Sequence, residues 1–283
     1  IIEDLEEVDE VLISTNAKFS TDFENYAEEF DRDNVRVVVE DQDSEADKPG
    51  TIGAILKILE QESIDDDLLV IGGDNIYSFD ISDFIDFAQT RGPANVVYDV
   101  DDFDLASSFG IVDTDDERIV GFEEKPEEPP STLASTACYY FPEENIDLFS
   151  KYDKHFQETD VPKEQYLDEP GRLIEWAHDR VDMYAFSFDG HWFDVGTRQG
   201  YLEALGEVVE GNIVNGDTSG CDIGDNVFIM EDTELENVTI RNTVVFSDSE
   251  IKDSEIRNSL IDQNCSIQDT DLNDAVIGEH TTL

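Results

Sequence analysis

The stretch 68–75, LLVIGGDN, runs from aliphatic residues through two glycines to an aspartate. If the aliphatic run is a strand, the glycines allow a tight turn and leave the Asp74 carboxylate at its C-terminal end. That is where open α/β sheets bind ligands. The same residues also fit an ordinary turn, because Asp and Asn favour turns. A second carboxylate, Asp194, stands in HWFDVGT beside Trp192 and Phe193. A charge held against apolar bulk is costly unless it is paired or binds a metal. Two such carboxylates, if they converge, make a Mg²⁺ site, since this ion takes one or two carboxylates plus phosphate oxygens.

Lys125 is notable by scarcity: Lys and Arg total 17 against 71 Asp and Glu, yet this lysine persists within GFEEKPEEPP. It is either an exposed salt bridge to acidic neighbours, which is worth little, or a ligand for phosphate. PGTIGA at 49–54 is a glycine turn leading into a helix start. The free N–H groups there can meet a phosphate or the edge of a base.

The elements that must position these groups alternate in the first half. Strands are predicted at 10–15, 35–40 and 68–73. Helices are predicted at 22–30 and 51–61, with a third capped by Ser82 and carrying Phe84, Ile85 and Phe87. Ile52, Ile55, Leu56 and Leu59 share one face of the second helix. Strand–helix alternation predicts a mainly parallel sheet covered on both faces. From Asn95 onward strands dominate, in ANVVYDV, FGIVDT, RIVGFEE, STACYYF, DMYAFSF and HWFDVG, with one helix near 144–152 and another at 198–209. The fold expected over 1–210 is therefore α/β with a mixed, mainly parallel sheet.

Residues 211–283 differ. DTELENVTIRNTVVFS, DSEIKDSEIRNSLIDQ and NCSIQDTDLNDAVIGE align as successive blocks of about 16 residues. Leu235, Ile240 and Val245 match Ile251, Ile256 and Ile261, then Ile267, Leu272 and Ile277. Three aliphatics per block between corners of Asn, Asp and Ser predict a three-sided β-helix. The alternative is a run of short antiparallel strands.

A formal net charge of -54 fits either a disordered acidic chain or a folded protein with an acidic surface. Aromatics at 10% and clear apolar periodicity favour the folded reading, in a setting salty enough to screen self-repulsion. Such a surface excludes nucleic acid and anionic lipid as partners, and no apolar run reaches the ~20 residues of a membrane span. Three cysteines without metal-site spacing suit a reduced cytoplasm. The chain opens at Ile1 inside the amphipathic IIEDLEEV and stops at Leu283 within a repeat, as a fragment would.

Taken in order, PGTIGA, LLVIGGDN, SSFGIVD, GFEEKP, STACYYF and HWFDVGT followed by hexapeptide-like repeats resemble the sugar-1-phosphate nucleotidyltransferases, most of all the glucose-1-phosphate thymidylyltransferases. The resemblance covers nearly the whole chain. It implies a Rossmann-like nucleotidyltransferase sheet and a left-handed parallel β-helix that serves oligomer contacts or allosteric control, hence a homo-oligomer. Asp74 and Asp194 would hold catalytic Mg²⁺, and Gly50 and Thr51 would contact the base. Gly110, Glu124 and Lys125 would hold the sugar phosphate, with Tyr139 near the sugar and Trp192 ahead of the second metal ligand. The substrates implied are a nucleoside triphosphate (dTTP or UTP first) and glucose 1-phosphate. The alternatives are guanylyl transfer to mannose 1-phosphate or a non-catalytic regulatory relative. An acyltransferase reading of the repeats is disfavoured, since His280 is their only histidine. Two departures stand out. The family's GxGTR phosphate loop would lie ahead of Ile1, so turnover is expected of the intact protein and not of this stretch. Ala137 also replaces a glycine usual beside the sugar.

Overall fold

The computed structural model describes residues 8–30, 34–40 and 50–283; Pro49 of the PGTIGA turn and nearly all of IIEDLEEV lie outside them. In chain order the first elements are β1 (Val11–Asn16), α1 (Ser20–Glu28), β2 (Val35–Glu40), α2 (Thr51–Glu62), β3 (Leu68–Ile71) and β4 (Asn75–Tyr77). Then come α3 (Ile81–Arg91), β5 (Ala94–Asp99), α4 (Phe103–Ala106), β6 (Gly110–Asp115), β7 (Arg118–Glu124) and β8 (Leu133–Phe141). They are followed by α5 (Asp147–Phe156), α6 (Lys163–Asp168), α7 (Pro170–Ala177), β9 (Tyr184–Ser187), β10 (Trp192–Asp194) and α8 (Arg198–Val208). Contacts divide the chain into two units. One holds Ile1–Gly72 and Ser78–Gly190; the other holds Gly73–Tyr77 and His191–Leu283.

In the first unit β1 and β2 pair in parallel, and six further strands form a sheet in the order β3-β8-β5-β9-β7-β6. The sheet is mixed, as expected, but it is not mainly parallel. Only β5–β9 is a parallel pairing there; β3–β8, β5–β8, β6–β7, β6–β8 and β7–β9 are antiparallel. The cause is one late strand. β8 runs opposite to both β3 and β5 and lies between them, so the two strands joined through α3 point the same way without touching. Strand–helix–strand order sets direction; it does not say which strand becomes the neighbour.

Local chemistry accounts for several element ends. α2 buries Ile52 and packs Ile55, Leu56 and Leu59 against a core that includes Phe141, Phe149, Tyr152 and Leu173. Full burial of such side chains stabilises by about 1.5–3 kcal/mol each. The cap of α3 is Asp80, not Ser82. The extended Asp80 accepts from the Ser82 N–H at 3.0 Å and from its hydroxyl, which places Ser82 inside the helix. Asp116, with φ +60°, closes the acidic β6–β7 hairpin.

β8 is bulged where its pairing with β5 steps from Asn95↔Tyr139 to Val97↔Ser135. The fully buried Asn95 fills the break, its amide donating to the carbonyls of Val96 (3.0 Å), Thr136 (3.1 Å) and Cys138 (3.1 Å).

The second unit contains the β4–β10 pair, α8 and the repeats: β11 (Ile213–Val214), β12 (Asp222–Ile223), β13 (Val227–Ile229), β14 (Glu234–Glu236) and β15 (Thr239–Val245), then β16 (Glu250–Lys252), β17 (Glu255–Ile261), β18 (Ser266–Gln268), β19 (Leu272–Asn273) and β20 (Val276–Ile277). All their pairings with one another are parallel. Leu235 aligns with Ile251 and Ile267, Ile240 with Ile256 and Leu272, and Val245 with Ile261 and Ile277. The nine predicted aliphatics thus stack in three columns and share one apolar cluster. The stack begins ahead of the first predicted block, because β12 and β13 pair with β15, and β11 with β13. Corner residues take left-handed backbone in three further columns: Asn226, Asn242, Asn258 and Asp274; Asp232, Asp248, Asn264 and His280; Asn237, Asp253 and Asp269. Asn and Asp are the side chains that tolerate this conformation best, which explains the polar corners.

Candidate functional site

β4 and β10 bring the two predicted carboxylates together on the second unit. The strands pair antiparallel with Asn75 opposite Asp194, and the Val195 N–H donates to the Asp74 carbonyl at 2.8 Å. A Cβ placed on Gly196 would lie 3.0 Å from Asp194 Oδ1 and 3.1 Å from Asp74 Oδ2. One methyl group would therefore touch both carboxylates, and only glycine leaves that gap open.

Neighbouring groups set each carboxylate. Trp192 Nε1 donates to Asn75 Oδ1 at 2.7 Å, and Asn75 Nδ2 donates to Asp74 Oδ1 at 2.8 Å, a relay that fixes the Asp74 side chain. Asp194 Oδ1 accepts from the Gly196 N–H at 3.0 Å. Thr197 caps α8 by accepting from the Gly200 N–H at 3.0 Å, and its hydroxyl donates to the Asp194 carbonyl at 3.3 Å. Asp194, Trp192 and Phe193 are half-buried and Asp74 is exposed, so the apolar enclosure expected around Asp194 is only partial. Among the described residues no group of three or more His, Cys, Asp and Glu could hold a metal. Two convergent carboxylates fit Mg²⁺, which binds through one or two of them and leaves other positions to water and phosphate.

The remaining predicted residues sit on the first unit. Gly110 of β6 pairs with Glu124 of β7. The Glu124 side chain is 17% exposed, in a slot that glycines keep open. A Cβ at Gly110 would meet Phe122 Cζ at 2.5 Å and Glu124 Oε2 at 2.9 Å, and one at Gly171 of α7 would meet Glu124 Oε2 at 2.2 Å. Burial lifts the Glu124 carboxyl above the ordinary carboxylate range, and the Lys125 ammonium opposes the rise. Lys125 follows β7 in left-handed backbone, φ +47°, with its N–H bonded to the Phe109 carbonyl at 3.0 Å. Its Nζ is 4.0 Å from Glu124 Oε1, and its side chain is 61% exposed and available to a ligand.

Tyr139 on β8 is buried, and burial raises its phenol well above the usual range; the Ser135 hydroxyl opposes the rise and the Glu124 charge adds to it. Gly50, at φ +72°, precedes α2, and a Cβ there would lie 2.5 Å from the Leu167 carbonyl oxygen. No side chain caps α2, whose first residue, Thr51, is exposed. Sequence reasoning missed Gly171 and helices α6 and α7 entirely. It also missed Asn75, which its place beside Asp74 in LLVIGGDN could have flagged.

The sequence profile of the family described as Nucleotidyl transferase matches residues 3–211. The chain belongs to the nucleotidyl transferase family. Among curated proteins, the chain is 36% identical over 146 residues to the glucose-1-phosphate adenylyltransferase of Clostridioides difficile (strain 630), a match covering 50% of this chain and 36% of that protein. It is also 36% identical over 173 residues to the glucose-1-phosphate adenylyltransferase of Thermotoga neapolitana, covering 56% of this chain and 38% of that one. The matches therefore span little more than a third of these relatives' length. A crystal structure of a Bacillus anthracis protein assigned as a glucose-1-phosphate thymidylyltransferase shares the fold, with a TM-score of 0.56 and 23% identity, covering 74% of this chain and 81% of that one.

Proposed function

We propose that the whole protein transfers a nucleotidyl group from a nucleoside triphosphate to a sugar 1-phosphate, releasing pyrophosphate. The observation that carries this reading is the gap at Gly196 framed by Asp74 and Asp194. Family membership supports it. A phosphate oxygen of the sugar 1-phosphate bonds to the α-phosphorus as the bond from that phosphorus to the β-phosphate oxygen breaks, and the pyrophosphate leaves with that bond's electrons. Asp74 and Asp194 would hold Mg²⁺, which when bound neutralises phosphate charge. Trp192 and Asn75 orient Asp74, and Thr197 steadies the Asp194 backbone. On the first unit Gly110, Glu124 and Lys125 would hold the sugar 1-phosphate, and Tyr139 would lie near the sugar. Gly50 and Thr51 offer helix-start N–H groups to the base. Such reactions depend on positioning and charge neutralisation more than on covalent chemistry.

Glucose 1-phosphate is the acceptor in this reading. The curated relatives, being adenylyltransferases, favour ATP as donor in place of the dTTP or UTP that the motif resemblance favours. The stacked repeats are read as a parallel β-helix, which their wholly parallel, in-register pairing supports, and as left-handed on the family resemblance alone. The acidic surface is read as adaptation to high salt, and the three free thiols as a sign of a reducing cytoplasm.

The test is pyrophosphate release by the full-length protein in molar KCl with Mg²⁺, across ATP, dTTP, UTP and GTP against glucose and mannose 1-phosphates. Release with glucose 1-phosphate is expected, highest with ATP, and a roughly 10²-fold or greater loss in Asp74→Asn and in Asp194→Asn. Full activity in either variant overturns the carboxylate assignment.

A further inference from the structure

Arg198 stands four residues after Asp194, at the first position of α8, and its guanidinium reaches into the repeats. One nitrogen, Nη1, donates to the carbonyl of Asn258, and Nη2 pairs with Asp274 Oδ1 at 3.1 Å. The Arg198 side chain is only 24% exposed. Both partners belong to the left-handed corner column, whose three asparagines form a ladder of side-chain amides that continues to Asn273. Asn226 donates to Asn242, Asn242 to Asn258 at 2.9 Å, and Asn258 to Asn273 at 3.2 Å. The same ladder grips α8 a turn later, where Asn226 Nδ2 donates to the Leu202 carbonyl at 3.0 Å. Leu202 itself is buried with Phe228 and Val244. The helix whose cap steadies the Asp194 backbone is thus fastened along the corner column of the repeats.

We infer that Arg198 is a positioning residue for the divalent-cation site, through which the repeats set the pose of Asp194. This rests on the cation role proposed above for Asp74 and Asp194. Groups that orient a ligand from behind typically change metal affinity by 10–100-fold when removed. Arg198→Ala is expected to weaken specific Mn²⁺ binding about 10-fold. Arg198→Lys, which keeps one of the two contacts, is expected to fall between.

The experiment is an EPR titration of Mn²⁺ in molar KCl, where screening suppresses diffuse binding to the acidic surface. The specific class is defined as the binding that Asp194→Asn abolishes, and far-UV circular dichroism and the melting temperature are recorded for each variant. If wild type and Asp194→Asn bind Mn²⁺ alike, the carboxylate reading itself fails. If Asp194→Asn loses binding while folded Arg198→Ala and Arg198→Lys retain wild-type affinity, the positioning role fails alone. Should Arg198→Ala not fold, Arg198→Lys decides the matter: weakened binding at an unchanged melting temperature supports the inference, and unchanged binding overturns it.

Discussion

Glu124 shows how a single side chain depends on residues far from it in sequence. Its carboxyl occupies a slot that exists because positions 110 and 171 have no side chain. Removal from water lifts its proton affinity in the folded state, while the unfolded chain titrates normally. The folded state therefore holds this proton to higher pH. The linked stability is complete below the ordinary carboxylate range and is lost as pH rises through the elevated pKa. Glu124→Gln should flatten that decline, as read by urea denaturation across the window at fixed KCl. An unchanged slope would mean the slot does not perturb the carboxyl. Lys125 was legible because a lysine among so many acids is conspicuous, whereas Glu124 came only with the family resemblance. Gly171 was not, because nothing in PGRLIEWA says that a glutamate from another strand will rest against it.

At the scale of elements, the sheet's order turns on β8, and that strand carries a bulge. It interrupts the ladder with β5 beside Ala137, and Asn95 supplies donors to the carbonyls left over. Asn95→Ala would leave those buried acceptors unmet, at about 1–3 kcal/mol. The expected result is an earlier urea midpoint with an unchanged slope, and an unaltered midpoint would refute the role. Strand and helix types were readable across most of the first unit because alternation and helical spacing are local signals. The insertion of β8 between β3 and β5 was not, since pairing partners are chosen by tertiary packing. The repeats were the most legible part. A period near 16 leaves few registers in which nine aliphatics can all turn inward, and the observed alignment of Ile240, Ile256 and Leu272 is one of them.

For the whole molecule, a formal charge of -54 opposes compaction at low ionic strength. Ion pairs relieve this in places, as where Arg36 bridges Glu10 and Glu62, both at 2.6 Å, but the 17 basic residues cannot answer 71 acids. Raising KCl from ~0.1 M to molar shortens the screening length from about 10 to about 3 Å. The melting temperature should climb over that range and level off. A decline would mean that the ion pairs outweigh the repulsion. The reach of Arg198 to Asn258 and Asp274 bears on how long the repeat tract must be. Repeats beyond Asp274 could be gained or shed in evolution without altering either acceptor. A tract trimmed ahead of Asn258 would leave the guanidinium with neither acceptor, so keeping both contacts requires the repeats to run through Asp274.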